Sequence, residues 1–124
     1  MRINKNEHVV YVDIDGTLIS HTESMPYSPI LVVDPLNNSK KIEVWPLNAN
    51  IRLLKEEYQR GSCIKVWSRG GWEWARNVVL ALELGHLIDE VSTKPFAYID
   101  DVPIDKWLTN RVFIPANESY KGTK

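Results

Sequence analysis

The feature that most constrains the fold is an apolar run that ends abruptly in two acidic residues. Residues 9–12 are Val-Val-Tyr-Val, and Asp13 and Asp15 follow with one isoleucine between them, then Gly16. A near-continuous run of strand-forming residues is typical of a strand buried on both faces, so we predict a fully buried strand over residues 9–15. Because residues i and i+2 of a strand face the same side, the two carboxylates start together where Gly16 allows a sharp turn. Two like charges so close are costly unless a cation or a proton neutralises one of them, so the pattern predicts a functional site.

Length and composition favour a single domain. The chain has 124 residues, of which 44% are hydrophobic and 25% charged, and its net charge is −1. A chain of this length is enough for one hydrophobic core but not for two, so we predict one domain over residues 1–124 with a polar tail at residues 117–124.

The small net charge gives no global attraction to nucleic acid or to a membrane, and no apolar run is long enough to span a bilayer. Met1 and the polar residues after it do not resemble a signal peptide, and Cys63 is the only cysteine. We therefore expect a cytoplasmic protein with a buried thiol.

Strand and helix patterns alternate along the chain. Short β-prone runs at residues 30–34 and 42–45 flank turn-forming residues and predict a hairpin flap within an insertion at about residues 21–46. Apolar periodicity predicts helices over about residues 48–60 and 72–84. Either Asn48 or Asn50 is expected to cap the first of them.

The remaining elements complete an α/β fold. Further strands are predicted at residues 63–68, 90–92, 96–101 and 111–114, and a short helix at residues 105–109. Strands that alternate with helices at this spacing predict a parallel sheet with helices on both faces. In such sheets, ligands bind at the carboxyl ends of the strands. Polar side chains fall at these predicted ends, and they are Asp13, Asp15, Ser68, Asp100 and Asp101.

The order of these polar groups resembles a known set of motifs. Asp-Ile-Asp-Gly-Thr at residues 13–17 follows an apolar strand, Ser68 ends the next core strand, Lys94 precedes a proline, and the pair Asp100-Asp101 ends a further strand. In this order they resemble the four motifs of the haloacid dehalogenase (HAD) superfamily of phosphatases, over residues 8–115. The first and the fourth motifs are fairly specific, whereas a serine and a lysine gain weight only from their positions.

The resemblance implies a three-layer, Rossmann-like fold and a Mg²⁺-dependent phosphomonoester hydrolase with an aspartyl-phosphate intermediate. Asp13 would be the nucleophile, Asp15 the general acid and base, and Lys94 the cation that neutralises charge and steadies Asp13. The Mg²⁺ ion would be held by Asp13, by Asp15 through its backbone carbonyl, and by a carboxylate of the fourth motif. Asp101 is the favoured direct ligand, with Asp100 orienting a bound water or Lys94.

Phosphate-binding groups are expected beside the nucleophile. They are the amides around Gly16 and Thr17, the hydroxyl of Ser68 and the guanidinium of Arg69. Simpler interpretations stay open at this point, because Ser68 could cap the following helix and Arg69 could be a surface charge. His21 follows the first motif closely, but a single loop histidine is more often incidental.

Several aromatic residues fall near the rim of the predicted site. Trp45, Trp72 and Trp74 are expected to serve in packing, although together with Arg69 and Arg76 they could stack a base or a sugar.

The chain has little room for a cap domain over the site. Only 25 residues separate Ser68 from Lys94, and the second helix uses most of them. The chain therefore resembles the capless members of the superfamily. An open site suits a nucleic-acid end or a phosphoprotein, or a nucleotide or small phosphorylated metabolite that a neighbouring subunit of a homo-oligomer encloses. Two alternatives remain: a phosphotransferase that uses the same residues, and a non-catalytic phosphate- or metal-binding or regulatory module of the same fold.

Overall fold

The structure is a computed structural model that describes residues 8–23 and 28–107. Six strands are present: β1 (Val9–Asp13), β2 (Ile19–Ser20), β3 (Ile30–Asp34), β4 (Lys40–Pro46), β5 (Cys63–Ser68) and β6 (Glu90–Thr93). Three helices accompany them: α1 (Asn48–Gln59), α2 (Trp72–Ala81) and α3 (Ile104–Trp107). A short 3₁₀ turn at Gly85–Leu87 connects α2 to β6. No helix of the described ranges is both long and apolar enough to cross a bilayer.

The first sheet is parallel, in the order β1-β5-β6. Asp13 lies opposite Trp67, and Ser68 lies opposite Thr93, so all three strands end at one edge of the sheet. Since α1 connects β4 to β5 and α2 connects β5 to β6, the expected α/β organisation is confirmed. The short strand predicted at residues 90–92 is also confirmed as β6, which lies at one edge of this sheet.

The second sheet is antiparallel, in the order β2-β4-β3. Strands β3 and β4 form the predicted hairpin, in which Ile30 pairs with Val44 and Asp34 with Lys40. In the turn, Asn38 and Ser39 adopt φ values of 52° and 55°, a left-handed conformation that asparagine tolerates well. Strand β4 begins two residues earlier than expected because the hairpin ladder continues to the turn.

One hydrophobic core holds the two sheets and the two long helices together. The residues concerned include Ile64 and Val66 of β5, Ile51 and Leu54 of α1, Val78 and Val79 of α2, and Val32 and Val44 of the hairpin, all of them buried. The Asn77 side chain of α2 also donates a hydrogen bond of 2.9 Å to the Val33 carbonyl of β3. This packing fixes the hairpin beside the carboxyl-terminal edge of the parallel sheet.

Strand β1 differs from the predicted fully buried strand. It ends at Asp13, and its side chains Val9 and Tyr11 are 41% and 47% exposed. Among the described strands β1 pairs only with β5, so it lies at an edge. On this exposed face the rings of Tyr11 and Trp67 contact each other, with centroids 4.2 Å apart. Cys63 lies on this same face and is only half-buried, so the prediction of a buried thiol was wrong.

The predicted strand at residues 96–101 is absent, and this part of the chain is irregular. Its apolar side chains Phe96 and Ile99 are fully exposed. Thr93 pairs with Ser68, the last residue of β5, so β6 cannot continue along β5, and the segment does not pair with the free edge of β1 in the described part of the sheet. Pro95 also lacks the backbone N–H that a ladder would need.

Helix ends differ in smaller ways. Helix α1 begins at Asn48 with Leu47 in the capping position and no capping side chain, so neither predicted asparagine is the cap. Helix α2 ends at Ala81, three residues earlier than expected, and the chain then turns through Glu83 at a φ of 60°. The predicted strand at 111–114, the end of the last helix beyond 107 and the tail at 117–124 lie outside the described residues.

Candidate functional site

The loop after β1 is held in a tight, well-anchored turn. Gly16 has a φ of 80°, and its amide donates to the Ile19 carbonyl at 2.8 Å. The side chains of Ile14 and Leu18 are fully buried, and the Leu18 amide donates to the Ile14 carbonyl. Because Ile14, which lies between the two acidic residues, is fixed in the core, Asp13 and Asp15 are directed away from it toward the edge of the sheet.

Asp13 lies next to a cation and a hydroxyl group. The Lys94 Nζ atom is 3.9 Å from Asp13 Oδ1, and the Thr17 hydroxyl donates a long hydrogen bond of 3.4 Å to Asp13 Oδ2. Lys94 Nζ also lies 5.8 Å from the ring centroid of Trp67, the residue opposite Asp13 in β5. About a third of each ion-pair side chain is exposed, so a phosphoryl group can reach both partners from solvent.

Asp15 is held by three hydrogen-bond donors from three parts of the chain. Its Oδ1 atom accepts from His21 Nε2 at 2.7 Å and from Trp74 Nε1 at 3.0 Å. Its Oδ2 atom accepts from the Ser68 hydroxyl at 3.0 Å. Since a carboxylate only accepts, His21 donates through Nε2. Oδ1 therefore has both of its lone-pair positions filled, and Oδ2 keeps one free.

Ser68 connects the site to the sheet. Its side chain is fully buried, and its hydroxyl accepts the Gly70 amide at 3.0 Å while donating to Asp15. Its carbonyl accepts the Lys94 amide at 2.8 Å. A Cβ atom at Gly70 would lie 3.3 Å from the Ser68 hydroxyl oxygen and 3.2 Å from the Trp74 ring, so this close approach favours glycine. Ser68 thus fixes Asp15 through its side chain and Lys94 through its backbone.

Asn50 of α1 anchors the loop after β1, residues 14–18, which we call the acidic loop. Its side-chain amide donates to the Thr17 carbonyl at 2.8 Å, and the residue is only 4% exposed. Its Oδ1 atom is buried without a hydrogen-bond partner in the described part of the chain. An amide in this place positions the loop, a role that differs from the helix cap predicted for it.

The remaining predicted rim residues surround the site without contacting its carboxylates. Arg69 is exposed, and Trp72 is 48% exposed with the guanidinium of Arg76 lying 5.1 Å from its ring centroid. The Trp72 amide donates to the Thr93 hydroxyl at 3.0 Å, which ties the start of α2 to the end of β6. Trp45 is half-buried in β4.

Asp100 and Asp101 do not form a metal-binding group with Asp13 and Asp15 in the described part of the chain. Both are exposed in the irregular segment after β6, where Asp100 accepts a 3.0 Å hydrogen bond from the Val102 amide. That bond, together with hydrogen bonding from Asp101, holds the pKa of Asp100 below its usual range. In the described ranges, no three acidic, histidine or cysteine residues come together as a metal-binding group. The carboxylate of Asp13 is an oxygen donor of the kind that Mg²⁺ accepts, but the expected third ligand is not beside it.

Two residues that contact Asp15 differ from what the sequence predicts for them. The sequence predicts an incidental loop histidine at His21, yet it makes the shortest contact to Asp15, and its ring stacks on that of Trp74 with centroids 6.0 Å apart. The packing role expected for Trp74 holds in that the residue is buried, but its indole N–H also donates to Asp15. A usable signal did exist for Trp74, because a buried indole N–H needs an acceptor. No pattern in the sequence places His21 at this carboxylate.

A small cavity opens beside Asp15. Its volume is about 160 Å³, and it lies between the acidic loop, the hairpin turn and the start of α2. Its lining residues are Asp15, His21, Asp34, Leu36, Gly70 and Trp74. The predicted hairpin flap therefore forms one wall of the site.

Comparisons of this chain with protein-family models, with curated proteins and with solved structures find no match. The assignment of a function therefore depends on the residues and distances described above.

Proposed function

We propose that this chain is a Mg²⁺-dependent phosphomonoester hydrolase of the HAD type that works through an aspartyl-phosphate. The observation that carries the proposal is the meeting of three predicted motifs at one sheet edge. Lys94 Nζ lies 3.9 Å from Asp13 Oδ1, and the Ser68 hydroxyl donates to Asp15. These residues follow or end three different strands, and a fold without such a site has no need to gather them.

In this proposal Asp13 attacks the phosphorus atom. Phosphate monoesters resist attack because their own charge repels a nucleophile, so a cation beside the attacking carboxylate is required. The Lys94 ammonium supplies that charge and restrains Asp13 at the same time. The Thr17 hydroxyl and the exposed guanidinium of Arg69 are available to the phosphoryl oxygens. The amides of Gly16 and Thr17, expected to bind phosphate, already donate to the Ile19 and Ile14 carbonyls within the turn.

Asp15 transfers the protons. It protonates the leaving oxygen in the first step and takes a proton from water in the second, as the general acid and base. Its three hydrogen bonds fix the carboxylate, and the free lone-pair position on Oδ2 is the place for the proton. Ser68 acts here by orienting Asp15, and its hydroxyl is already engaged on both sides.

A Mg²⁺ ion would be held by the Asp13 carboxylate and the backbone carbonyl of Asp15. It would supply neutralisation of the phosphoryl charge, and Mg²⁺ commonly uses one or two carboxylates together with waters and substrate phosphate. Asp101 remains the proposed third ligand, with Asp100 beside it. For either to contribute, the exposed segment that carries Phe96 and Ile99 has to approach β1, whose outer edge is unpaired among the described strands. The full three-layer HAD-like sheet is part of this proposal.

Hydrolysis of para-nitrophenyl phosphate tests the function directly. We expect turnover when Mg²⁺ is present and loss of turnover when EDTA is in excess, with recovery after Mg²⁺ is restored. Turnover that survives chelation would contradict the metal requirement. Absence of turnover with Mg²⁺ and a range of phosphomonoesters would contradict the hydrolase itself and favour a non-catalytic module.

Replacing His21 with alanine is expected to lower kcat by about tenfold with little change in KM for para-nitrophenyl phosphate. Asp15 would lose its shortest hydrogen bond and the ring that stacks on Trp74. The loss of one hydrogen bond to a charged group is worth about 1.5–3 kcal/mol, and the His21 and Asp15 side chains are 49% and 37% exposed, which reduces the effect. The measurement is steady-state kinetics of the two enzymes.

Two further variants separate the loss of the hydrogen-bond donor at position 21 from a general effect on the structure. His21→Gln keeps a donor on a side chain of similar reach, so it should recover part of the lost kcat. His86→Gln, at an exposed position in the 3₁₀ turn, should behave as the wild type. Equal losses in His21→Ala and His21→Gln, or a change confined to KM, would contradict the positioning role.

A further inference from the structure

We propose that the cavity beside Asp15 receives the alcohol leaving group, and that Asp34 selects compact alcohols that carry hydrogen-bond donors and no negative charge. This inference rests on the proposed hydrolase function and adds the class of substrate. Small amino alcohols are the leaving groups that fit it best.

The position of the cavity assigns it to the leaving group. Asp15 and its partners His21 and Trp74 line it, whereas Asp13 and Lys94 are not among its lining residues. The general acid must lie within hydrogen-bond reach of the oxygen that departs. The group attached to that oxygen therefore extends into the space on the Asp15 side, away from the attacking carboxylate.

The volume gives the size of the group that fits inside the cavity, which is open to solvent on one side. A cavity of roughly 150 Å³ accepts a benzene-sized molecule, and the cavity here measures about 160 Å³. A leaving group of about six non-hydrogen atoms fills it. Larger substrates have to extend past Leu36, which is 79% exposed at the hairpin turn.

The charge of Asp34 determines which leaving groups the cavity favours. Asp34 is the only charged residue that the hairpin places in the cavity, and its Oδ1 atom accepts the Leu36 amide at 3.0 Å. This hydrogen bond fixes the carboxylate at the end of β3. An ionised carboxylate accepts hydrogen bonds and donates none, so it favours hydroxyl and ammonium groups and repels a second carboxylate. An anionic leaving group therefore meets the negative charge of Asp34, whereas Asp15 enters the first step protonated and adds no charge.

A matched pair of substrates tests the inference. Ethanolamine phosphate and phosphoglycolate have leaving groups of similar size and opposite charge. We expect kcat/KM of the wild type to favour ethanolamine phosphate by about tenfold or more, the ratio that corresponds to about 1.4 kcal/mol. Asp34→Asn keeps an acceptor for the Leu36 amide and removes the charge, so the preference should fall to within about threefold of unity.

Glu43→Gln is the matched control, because it removes one negative charge from an exposed position of the same hairpin outside the cavity. It should keep the wild-type preference. Loss of preference in both variants would assign the effect to overall charge and overturn the proposal, as would an unchanged preference in Asp34→Asn. Both results require an enzyme that hydrolyses para-nitrophenyl phosphate, and a wild type that fails on that substrate fails as a hydrolase instead.

Discussion

Asp13→Asn should lower kcat for para-nitrophenyl phosphate by at least about 10³-fold, because the amide cannot form the covalent intermediate. The wild type should also become phosphorylated during turnover, and the variant should not. Rapid acid quenching followed by intact-mass measurement would detect one added phosphoryl group on the wild type. Peptide mapping should place that group on Asp13.

The same variant should keep its stability, which separates a catalytic role from a structural one. Removing the charge relieves repulsion with Asp15 but also removes the partner of Lys94. An ion pair that is about a third exposed contributes roughly 0–1 kcal/mol, so the two small terms nearly cancel. We expect the Tm without metal to change by only a few degrees.

Asp105→Asn in α3 is the control for this experiment, since it removes one exposed carboxylate outside the proposed site. It should retain activity, phosphorylation and Tm. A large fall in Tm for Asp13→Asn would mean that Asp13 holds the fold together, and phosphorylation of that variant would place the nucleophile elsewhere.

The parts of the site that could be predicted from sequence follow from local rules. The apolar run before Asp13, the glycine turn after Asp15 and the strand that ends in Ser68 each depend on neighbouring residues. The parallel arrangement then follows from the alternation of strands and helices, and it places Ser68 and Lys94 near the acidic loop. Lys94 is predicted to lie beside Asp13 only from its place in the order of the motifs, and its ammonium group does lie 3.9 Å from that carboxylate.

The parts that could not be predicted depend on partners distant in sequence. Residues 96–101 have the composition of a strand, yet a strand also needs a neighbour: β5 ends opposite Thr93, and the segment does not pair with the free edge of β1 among the described strands. His21 and Trp74 reach Asp15 only because the acidic loop and α2 pack on one core. The exposure of Tyr11 reflects poor cover over one face of the parallel sheet, since Cys63 and Trp67 on that face are also only half-buried while Ile64 and Val66 on the other face are buried. Apolar content does not reveal which face is covered.

Asp15→Asn should separate the two chemical steps. With an alkyl substrate such as ethanolamine phosphate, the leaving oxygen needs a proton, so we expect kcat to fall by about 10²–10⁴-fold. Para-nitrophenolate is a good leaving group and departs without a proton, so Asp13 can still be phosphorylated from that substrate. Hydrolysis of the intermediate still requires a base at position 15. The variant should therefore release one equivalent of para-nitrophenol in a burst and then turn over slowly.

The comparison that decides this prediction is between the two substrates on the same preparation. Asp105→Asn should show wild-type rates with both, and Asp13→Asn should show no burst. A burst in Asp15→Asn with retained slow turnover identifies Asp15 as the group that moves protons in both steps. Equal losses with the alkyl and the aryl substrate and no burst would instead make Asp15 a binding residue. In that case its three hydrogen bonds to His21, Ser68 and Trp74 would serve to shape the cavity.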